Sequence, residues 1–385
     1  MKNITLLCDH DVLKRPRPFR ILEMLKQIGG FELSVIAREC SQIQDIATFS
    51  FPPLPTQKQR SQEESKKLFE LCKNREFDKL IFTPNRLKIP EILHSLPPQD
   101  LLIVEDITLL PFAFQEKQRR GGKILIDLRE YYPLEYENSQ EWLEGFGKFF
   151  TYLCEEYLSE VDYALCVSEG ILARYQKEFG IEGEVFLSLP PYFGADCPRI
   201  QSHISIIYHG FVSPDRSSAN LLEFAKSLPY SYKLYLLALS NQPNFLESLQ
   251  EKARTIKNLI FLPPVAMNEI IPSTRGFDIG LIPFMPTTFN LKYCMPNKLF
   301  EYIQAGLCVL STPLPEIKNF LDSNKCGVVA RDFSISSLLE ALLALSKDEI
   351  LGYKNRSLAM RKTYSLDTNI MRLEKILHKL KLLDA

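Results

Sequence analysis

The chain has 385 residues, 45% of them hydrophobic and 24% charged, with a formal net charge of −1 at pH 7. That length predicts two or three domains with cores of their own, and the near-neutral balance excludes a general nucleic-acid-binding surface. Nine cysteines without a C-x-x-C pair point to neither a zinc site nor a disulfide framework, and their odd number fits a reducing cytosol. The apolar run Ile4 to Leu7 ends at Asp9, so it reads as a strand rather than a secretory leader. No apolar run approaches the ~20 residues of a membrane span.

Residues 4–8 read as a buried strand, followed by the polar loop Asp9-His10-Asp11. Residues 19–28 have helical period, Gly29-Gly30 stops them, and residues 31–37 read as a second strand. This β-loop-α-β start opens a Rossmann-like half, but without the G-x-G-x-x-G dinucleotide cradle. The basic cluster Lys14, Arg15, Arg17 and Arg20 lies at the carboxyl end of a strand, where open α/β sheets bind ligands. It reads either as a contact for an anionic acceptor or phospholipid surface, or as a solvated loop.

Residues 50–56 form a proline-rich connection and 61–75 a charged helix. Strands are expected at 79–82, 101–104 and 123–128, with a helix at 111–120 before the last. The second and third strands deliver Glu105-Asp106 and Arg129-Glu130-Tyr131-Tyr132 to their ends. Carboxylates there can polarise an acceptor hydroxyl, or one of them can cap the helix that follows. Residues 142–163 are aromatic and helical, a pattern commoner in cores than in sugar-stacking platforms. A strand at 161–168, a helix at 170–179 and a strand at 185–189 complete the first half.

Residues 190–202 lack any period and read as a linker. A second sheet starts at 204–208 and leads through His209-Gly210-Phe211 to a loop with Arg216. A helix at 221–228, a strand at 232–239, a helix at 245–255 and a strand at 259–262 follow. Pro263-Pro264-Val265 then precedes a short helix at 267–272. An apolar strand run at 278–283 leads to the phrase P-N-K-L-F-E-Y-I-Q-A-G, from Pro296 to Gly306, and a strand at 307–310. On a helix, Lys298, Glu301, Tyr302 and Ala305 share one face, and Leu299, Phe300 and Ile303 the other. Lys298 falls in the first turn, where unpaired N–H groups and the dipole favour an anion. Glu301, one turn on, suits hydroxyl donors. A phosphate beside a diol is what a nucleotide-sugar presents; the alternative is an ordinary i, i+3 surface pair. A strand at 327–329 and helices at 336–345 and 367–380 close the chain. The last sets Ile370, Leu373, Leu377 and Leu380 against Arg372, Lys375, Lys379 and Lys381, to pack on protein or lie on a membrane.

The phrase P-N-K-L-F-E-Y-x-x-A-G after D-I-G-L-x-P resembles the donor-binding helix of GT-B glycosyltransferases, in particular the retaining family 4, glycosyl transferases group 1. The resemblance implies an α/β protein of two Rossmann-like parallel-sheet domains facing a central cleft. Residues 1–190 would take the acceptor and 203–366 the nucleotide-sugar, while 367–385 would cross back to the first domain. It implies that Lys298 contacts the diphosphate, with Gly210, Arg216 and Asn297 close by, that Glu301 binds the ribose, and that Pro264 and Val265 hold the base through backbone groups. Arg15, Arg17, Asp106 and Tyr132 are the expected acceptor contacts, and Glu105, Glu130 and Lys298 the expected catalytic groups. The phrase I-D-L-R-E-Y-Y-P is similar to the family's D-x-H-E-x-Y-P, with Arg129 in place of His; Glu105 also stands where His is usual. The family's second Glu, eight positions before the ribose Glu, is Tyr293 here, with Asn290 and Lys292 as candidate substitutes.

The implied activity is transfer of a sugar, of the hexosyltransferase type, from a nucleoside-diphosphate sugar to a hydroxyl on a glycan or protein. Retention follows from the resemblance alone. Metal independence is expected, and no cofactor beyond the donor substrate is implied. A cytoplasmic location is expected, with the inner membrane face as a second setting. An epimerase on the same fold, or a catalytically silent sugar-nucleotide-binding subunit, are the rival readings.

Overall fold

The computed structural model describes every residue except 56–58, 195–199, 201–202, 215–217 and 384–385. The chain forms two compact units. One comprises Met1–Leu187, Thr288–Asn290 and Asn369–Ala385; the other comprises Ser188–Thr287 and Leu291–Thr368.

The first unit holds seven strands: β1 Lys2–Cys8, β2 Phe31–Arg38, β3 Ala47–Phe51, β4 Leu101–Val104, β5 Lys123–Leu128, β6 Tyr163–Cys166 and β7 Gly183–Val185. They pair in the order β3-β2-β1-β4-β5-β6-β7, all parallel. β4 and β6 are buried along their whole length, as strands covered on both faces must be. The order reverses between β1 and β4. Crossovers on either side of that point leave opposite faces of the sheet, which opens a crevice at the strands' carboxyl ends.

The second unit holds β8 Ile204–Phe211, β9 Tyr232–Leu239, β10 Leu259–Phe261, β11 Ile279–Ile282, β12 Cys308–Ser311 and β13 Gly327–Val329. Their order is β10-β9-β8-β11-β12-β13, again all parallel, with the reversal between β8 and β11.

Several elements depart from expectation: the strand expected at 185–189 is Gly183–Val185, and helices at Lys88–Ser95 and Pro315–Asn324 were not foreseen. Residues 79–82 were expected as a strand, but Asp78–Ile81 is a single helical turn burying Leu80 and Ile81. Four apolar residues fit either shape, and here the turn wins by packing. β3 lies where a connection was expected to begin. A helix at Lys347–Met360, started by a Ser346/Glu349 capping box, was not foreseen. The aromatic segment is helical at Gln140–Trp142 and Lys148–Tyr157, with a π turn, Leu143–Gly147, between them.

The last helix, Leu366–Lys379, buries Leu373, Ile376 and Leu377, and Leu380 just beyond it is buried too. Its apolar stripe is therefore covered, not offered to a membrane. In the first unit, the Asn369 amide donates to the Leu187 carbonyl at 2.7 Å. Among the described residues, no helix is long and apolar enough to cross a membrane.

Gly280 in β11 shows how tightly the second unit is assembled. A Cβ on Gly280 would lie 2.3 Å from the Tyr302 ring. That ring is wholly buried and its hydroxyl donates toward the Ile207 and Leu281 carbonyls, each at 3.2 Å, so it has nowhere to move. Gly280→Ala is expected to cost about 1–3 kcal/mol through overpacking. Urea unfolding measures it, and an unchanged midpoint would refute the contact.

Candidate functional site

The helix Asn297–Ala305 starts after extended Pro296 and stops at Gly306, whose left-handed φ of 73° is a glycine conformation. Every residue from Lys298 to Ala305 is buried. The expected polar front is therefore packed as fully as the apolar back. Tyr302 fills the space above Gly280. Gln304 accepts from the Phe193 N–H at 3.1 Å and donates to the carbonyls of Arg361 and Tyr364 at 2.7 and 2.8 Å.

Lys298 and Glu301 are only 7% and 5% exposed, so neither belongs to a solvated surface pair. The Lys298 ammonium sits 3.8 Å from the ring centre of Tyr208 and 4.6 Å from that of Phe284. These rings come from β8 and from the loop after β11, the two strands that flank the reversal of order. Gly210 has φ 114°, and a Cβ there would lie 3.6 Å from Lys298 Nζ. The missing side chain thus leaves the strand end open beside the ammonium. Asn297 is half-buried in the helix's first turn, and Pro264 and Val265 follow the end of β10 with Pro264 exposed. Arg216 lies outside the described residues.

His209 was not singled out as a site residue. Its Nε2 lies 3.5 Å from a Glu301 carboxylate oxygen, and its ring meets Tyr302 edge-on at 5.0 Å. Burial, aided by the Lys298 charge, pushes its pKa down to about 3, so the imidazole is neutral. Its only signal in the sequence is its place one residue before Gly210. Asn290, a candidate substitute near the donor, is committed elsewhere: its amide bonds the Tyr131 N–H at 2.6 Å and the Tyr131 carbonyl at 3.2 Å.

In the first unit the strand register brings the ends of β1, β4 and β5 together: Leu7 pairs with Val104, which pairs with Ile126. Glu105 was expected to offer a carboxylate there. Instead it is 0% exposed and shares a side-chain hydrogen bond with Asp127. Burial first, then the Asp127 charge, raises its pKa well above the carboxylate range and holds it as the neutral acid. Arg17 was expected to meet the acceptor. It is buried and turned inward, bonding both Asp127 oxygens at 2.5 and 2.6 Å and the Phe186 carbonyl at 2.5 Å. That bidentate pair stabilises the interior of the unit. Asp106 caps Ile107–Leu109, accepting from the Thr108 N–H and hydroxyl at 2.9 and 2.6 Å, with Arg129 at 3.5 Å. Capping, the alternative weighed for the two glutamates, falls to Asp106. Glu130 is exposed and Arg15 is exposed, whereas Tyr132 is buried with its ring stacked on Phe150.

No protein-family model matches the sequence, and no curated protein matches it. Solved structures do. Sucrose-phosphate synthase from Thermosynechococcus elongatus superposes with a TM-score of 0.73 at 11% identity, over 99% of this chain and 100% of that one. Anabaena HepE in complex with UDP gives 0.70 at 11% identity, over 98% and 100%. An alpha,alpha-trehalose-phosphate synthase (UDP-forming) from Burkholderia vietnamiensis gives 0.68 at 11% identity, over 99% and 100%. Two all-parallel α/β sheets, matched along nearly the whole length of such proteins, give this chain the fold of the GT-B glycosyltransferases.

Proposed function

We propose that the chain is a glycosyltransferase that moves a sugar from a nucleoside-diphosphate sugar to a hydroxyl acceptor. One observation carries this reading: a lysine and a glutamate one turn apart, both buried in the first half of one helix, with the lysine beside Gly210 near the end of β8. Burying two charged side chains is costly unless something is gained from it, and a charged ligand supplies that gain. In the proposed complex, Lys298 and the helix N-terminus hold the diphosphate and Glu301 accepts from the ribose hydroxyls. As the sugar leaves, charge grows on the diphosphate, and Lys298 stabilises it without reorganising. The protein's own cation does this work, so the proposed reaction needs no metal. Retention of configuration is part of the proposal and rests on the sequence resemblance. HepE was crystallised with UDP, which makes UDP the first nucleotide to test.

The test is a thermal-shift screen over UDP, GDP, ADP, dTDP and CMP compounds. At ~100 times its dissociation constant, the right nucleotide adds ~2.7 kcal/mol of stability. Glu301→Ala is expected to weaken that nucleotide at least tenfold, since a charge-assisted hydrogen bond contributes about 1.5–3 kcal/mol. Unaltered affinity would take Glu301 out of the site. Nucleotide release that needs no acceptor would favour the epimerase instead, and binding without any release the silent subunit.

A further inference from the structure

His209 occupies a seat in the second unit that the sheet would otherwise give to an apolar residue. It stands in β8, which is buried from Ile204 to His209, with Ile206 and Ile207 fully enclosed. Its neighbour across the ladder in β9 is Leu237. Strands covered on both faces are built from apolar runs, so a polar ring in one of them calls for a partner. Side chains alternate along the strand, so His209 faces Glu301 and Tyr302, while Tyr208 and Gly210 lie at the Lys298 ammonium. Yet His209 is only 3% exposed, and its Nε2 is buried with no hydrogen-bond partner among the described residues. Buried polar atoms are almost always paired, and an exception beside a candidate site points to a contact made when a ligand is bound.

The Glu301 carboxylate is the group that can make this contact. One of its oxygens lies 3.5 Å from Nε2. Good N–H···O bonds run from about 2.7 to 3.2 Å, so the pair is too long by a few tenths of an ångström. The imidazole has little freedom to close the gap. It meets Tyr302 edge-on, with 5.0 Å between ring centres and 80° between planes. The Tyr302 ring is itself fixed, by two carbonyls at its hydroxyl and by Gly280 against its side. Glu301 has three side-chain torsions, and a small turn of its carboxylate is enough. Hydrogen bonds at functional sites are often long in the unliganded protein and tighten in the complex.

A neutral ring suits this task. Burial, then the Lys298 charge, holds His209 in that form. A neutral imidazole carries one proton, and an acceptor facing Nε2 places the proton there. Such a donor fixes the direction of a carboxylate and leaves its charge in place. An imidazolium would cancel that charge and add a second cation beside Lys298.

We propose that His209 is a positioning residue for Glu301: when the donor binds, Nε2–H donates to one carboxylate oxygen and so aims the carboxylate at the ribose diol. This rests on the glycosyl-transfer reading, in which Glu301 accepts from those hydroxyls. The gain is orientation, because a side chain held by a supporting hydrogen bond presents its acceptor in the narrow range of directions that a diol requires. The plain alternative is a histidine that only fills space between β8 and the Asn297–Ala305 helix. The two differ in what an apolar residue of similar size does there. A space-filler tolerates leucine, because exchanging an unpaired polar group for an apolar one is nearly neutral or stabilising. A positioning residue does not, and its loss is confined to ligands that carry the diol.

Calorimetry on the full chain tests this with UDP, GDP and ADP and with their 2′,3′-dideoxy forms, which keep base and diphosphate and lack the diol. The wild-type chain is expected to prefer the ribonucleotide it binds over the dideoxy form by about tenfold or more. H209L should cut that preference to about threefold or less and leave the dideoxy affinity nearly unchanged. H209Q keeps an N–H that can reach Glu301 and should restore most of the preference. The wild-type protein gives a second readout that needs no variant to fold: the His209 imidazole N–H proton signal should move downfield when the ribonucleotide binds and stay in place with the dideoxy form. A preference untouched by H209L, an equal loss of both affinities in H209L, or a proton signal indifferent to the ribonucleotide would reduce His209 to packing and overturn the proposal, while leaving the donor reading standing. A chain that binds none of the three nucleotides would sink the donor reading, and this proposal with it.

Discussion

Lys298→Met is expected to lower turnover of the sugar donor by about 10²–10³-fold, the usual effect of removing one preorganised charge from a developing oxyanion. Methionine keeps the length of the side chain and its contact with Tyr208 and Phe284, so packing is nearly conserved. The cation is what disappears. Ground-state affinity for the nucleotide should fall much less than turnover, because the charge on the leaving diphosphate is largest in the transition state. Stopped assays of nucleotide release, alongside equilibrium binding, separate the two effects. Full turnover in the variant would place the diphosphate somewhere else.

The second large effect falls on stability. Lys354→Met should destabilise the second unit by about 3–5 kcal/mol. The Lys354 ammonium is buried, 3.0 Å from an Asp278 oxygen and 2.7 Å from the Phe277 carbonyl. Asp278 is fully buried and accepts from the Ser205 N–H and hydroxyl at 2.9 and 2.8 Å. Removing the lysine leaves a carboxylate charge inside with hydrogen bonds but no counter-ion. Adding Asp278→Asn removes that charge and should recover much of the loss. Chemical unfolding of the single and double variants checks both halves. A loss below about 1 kcal/mol in the single variant would mean that water reaches the pair.

That ion pair also explains what the sequence showed and what it hid. The Asp278-Ile279-Gly280-Leu281 phrase was legible as a strand because its burial is apolar. The helix Lys347–Met360 was not, because the face it buries includes Lys354 and Ser357, the latter donating to the Leu307 carbonyl at 2.7 Å. Period-reading looks for apolar residues on the inner face, and here two of the inner residues are polar. The parallel strands were largely readable for the opposite reason: strands covered on both faces are continuous apolar runs. Glycines at the ends of elements helped as well, as at Gly29 and Gly306.

Lys298 and Glu301 could be placed together from the sequence because they sit within eleven consecutive positions, so helix geometry alone relates them. The candidate acceptor-side residues could not be placed in this way. Arg17 and Arg15 are two positions apart, yet one is buried against Asp127 and the other is exposed. Only the order of the strands brings Asp106 and Arg129 to one edge, and linear spacing carries no trace of it. Glu105 escaped for a different reason. Whether a carboxyl at a strand end is a base or a neutral acid depends on its burial and on Asp127 beside it.

The Asn297–Ala305 helix is enclosed along most of its length and tied by Gln304 to backbone groups of Phe193, Arg361 and Tyr364. Beyond its first turn, its amide protons therefore have no local route to solvent and should exchange only when the whole unit opens. A nucleotide arriving at its first turn meets groups already immobile, so little ordering entropy is lost on binding. Hydrogen exchange in the helix beyond its first turn should be as slow in the unliganded protein as in the complex.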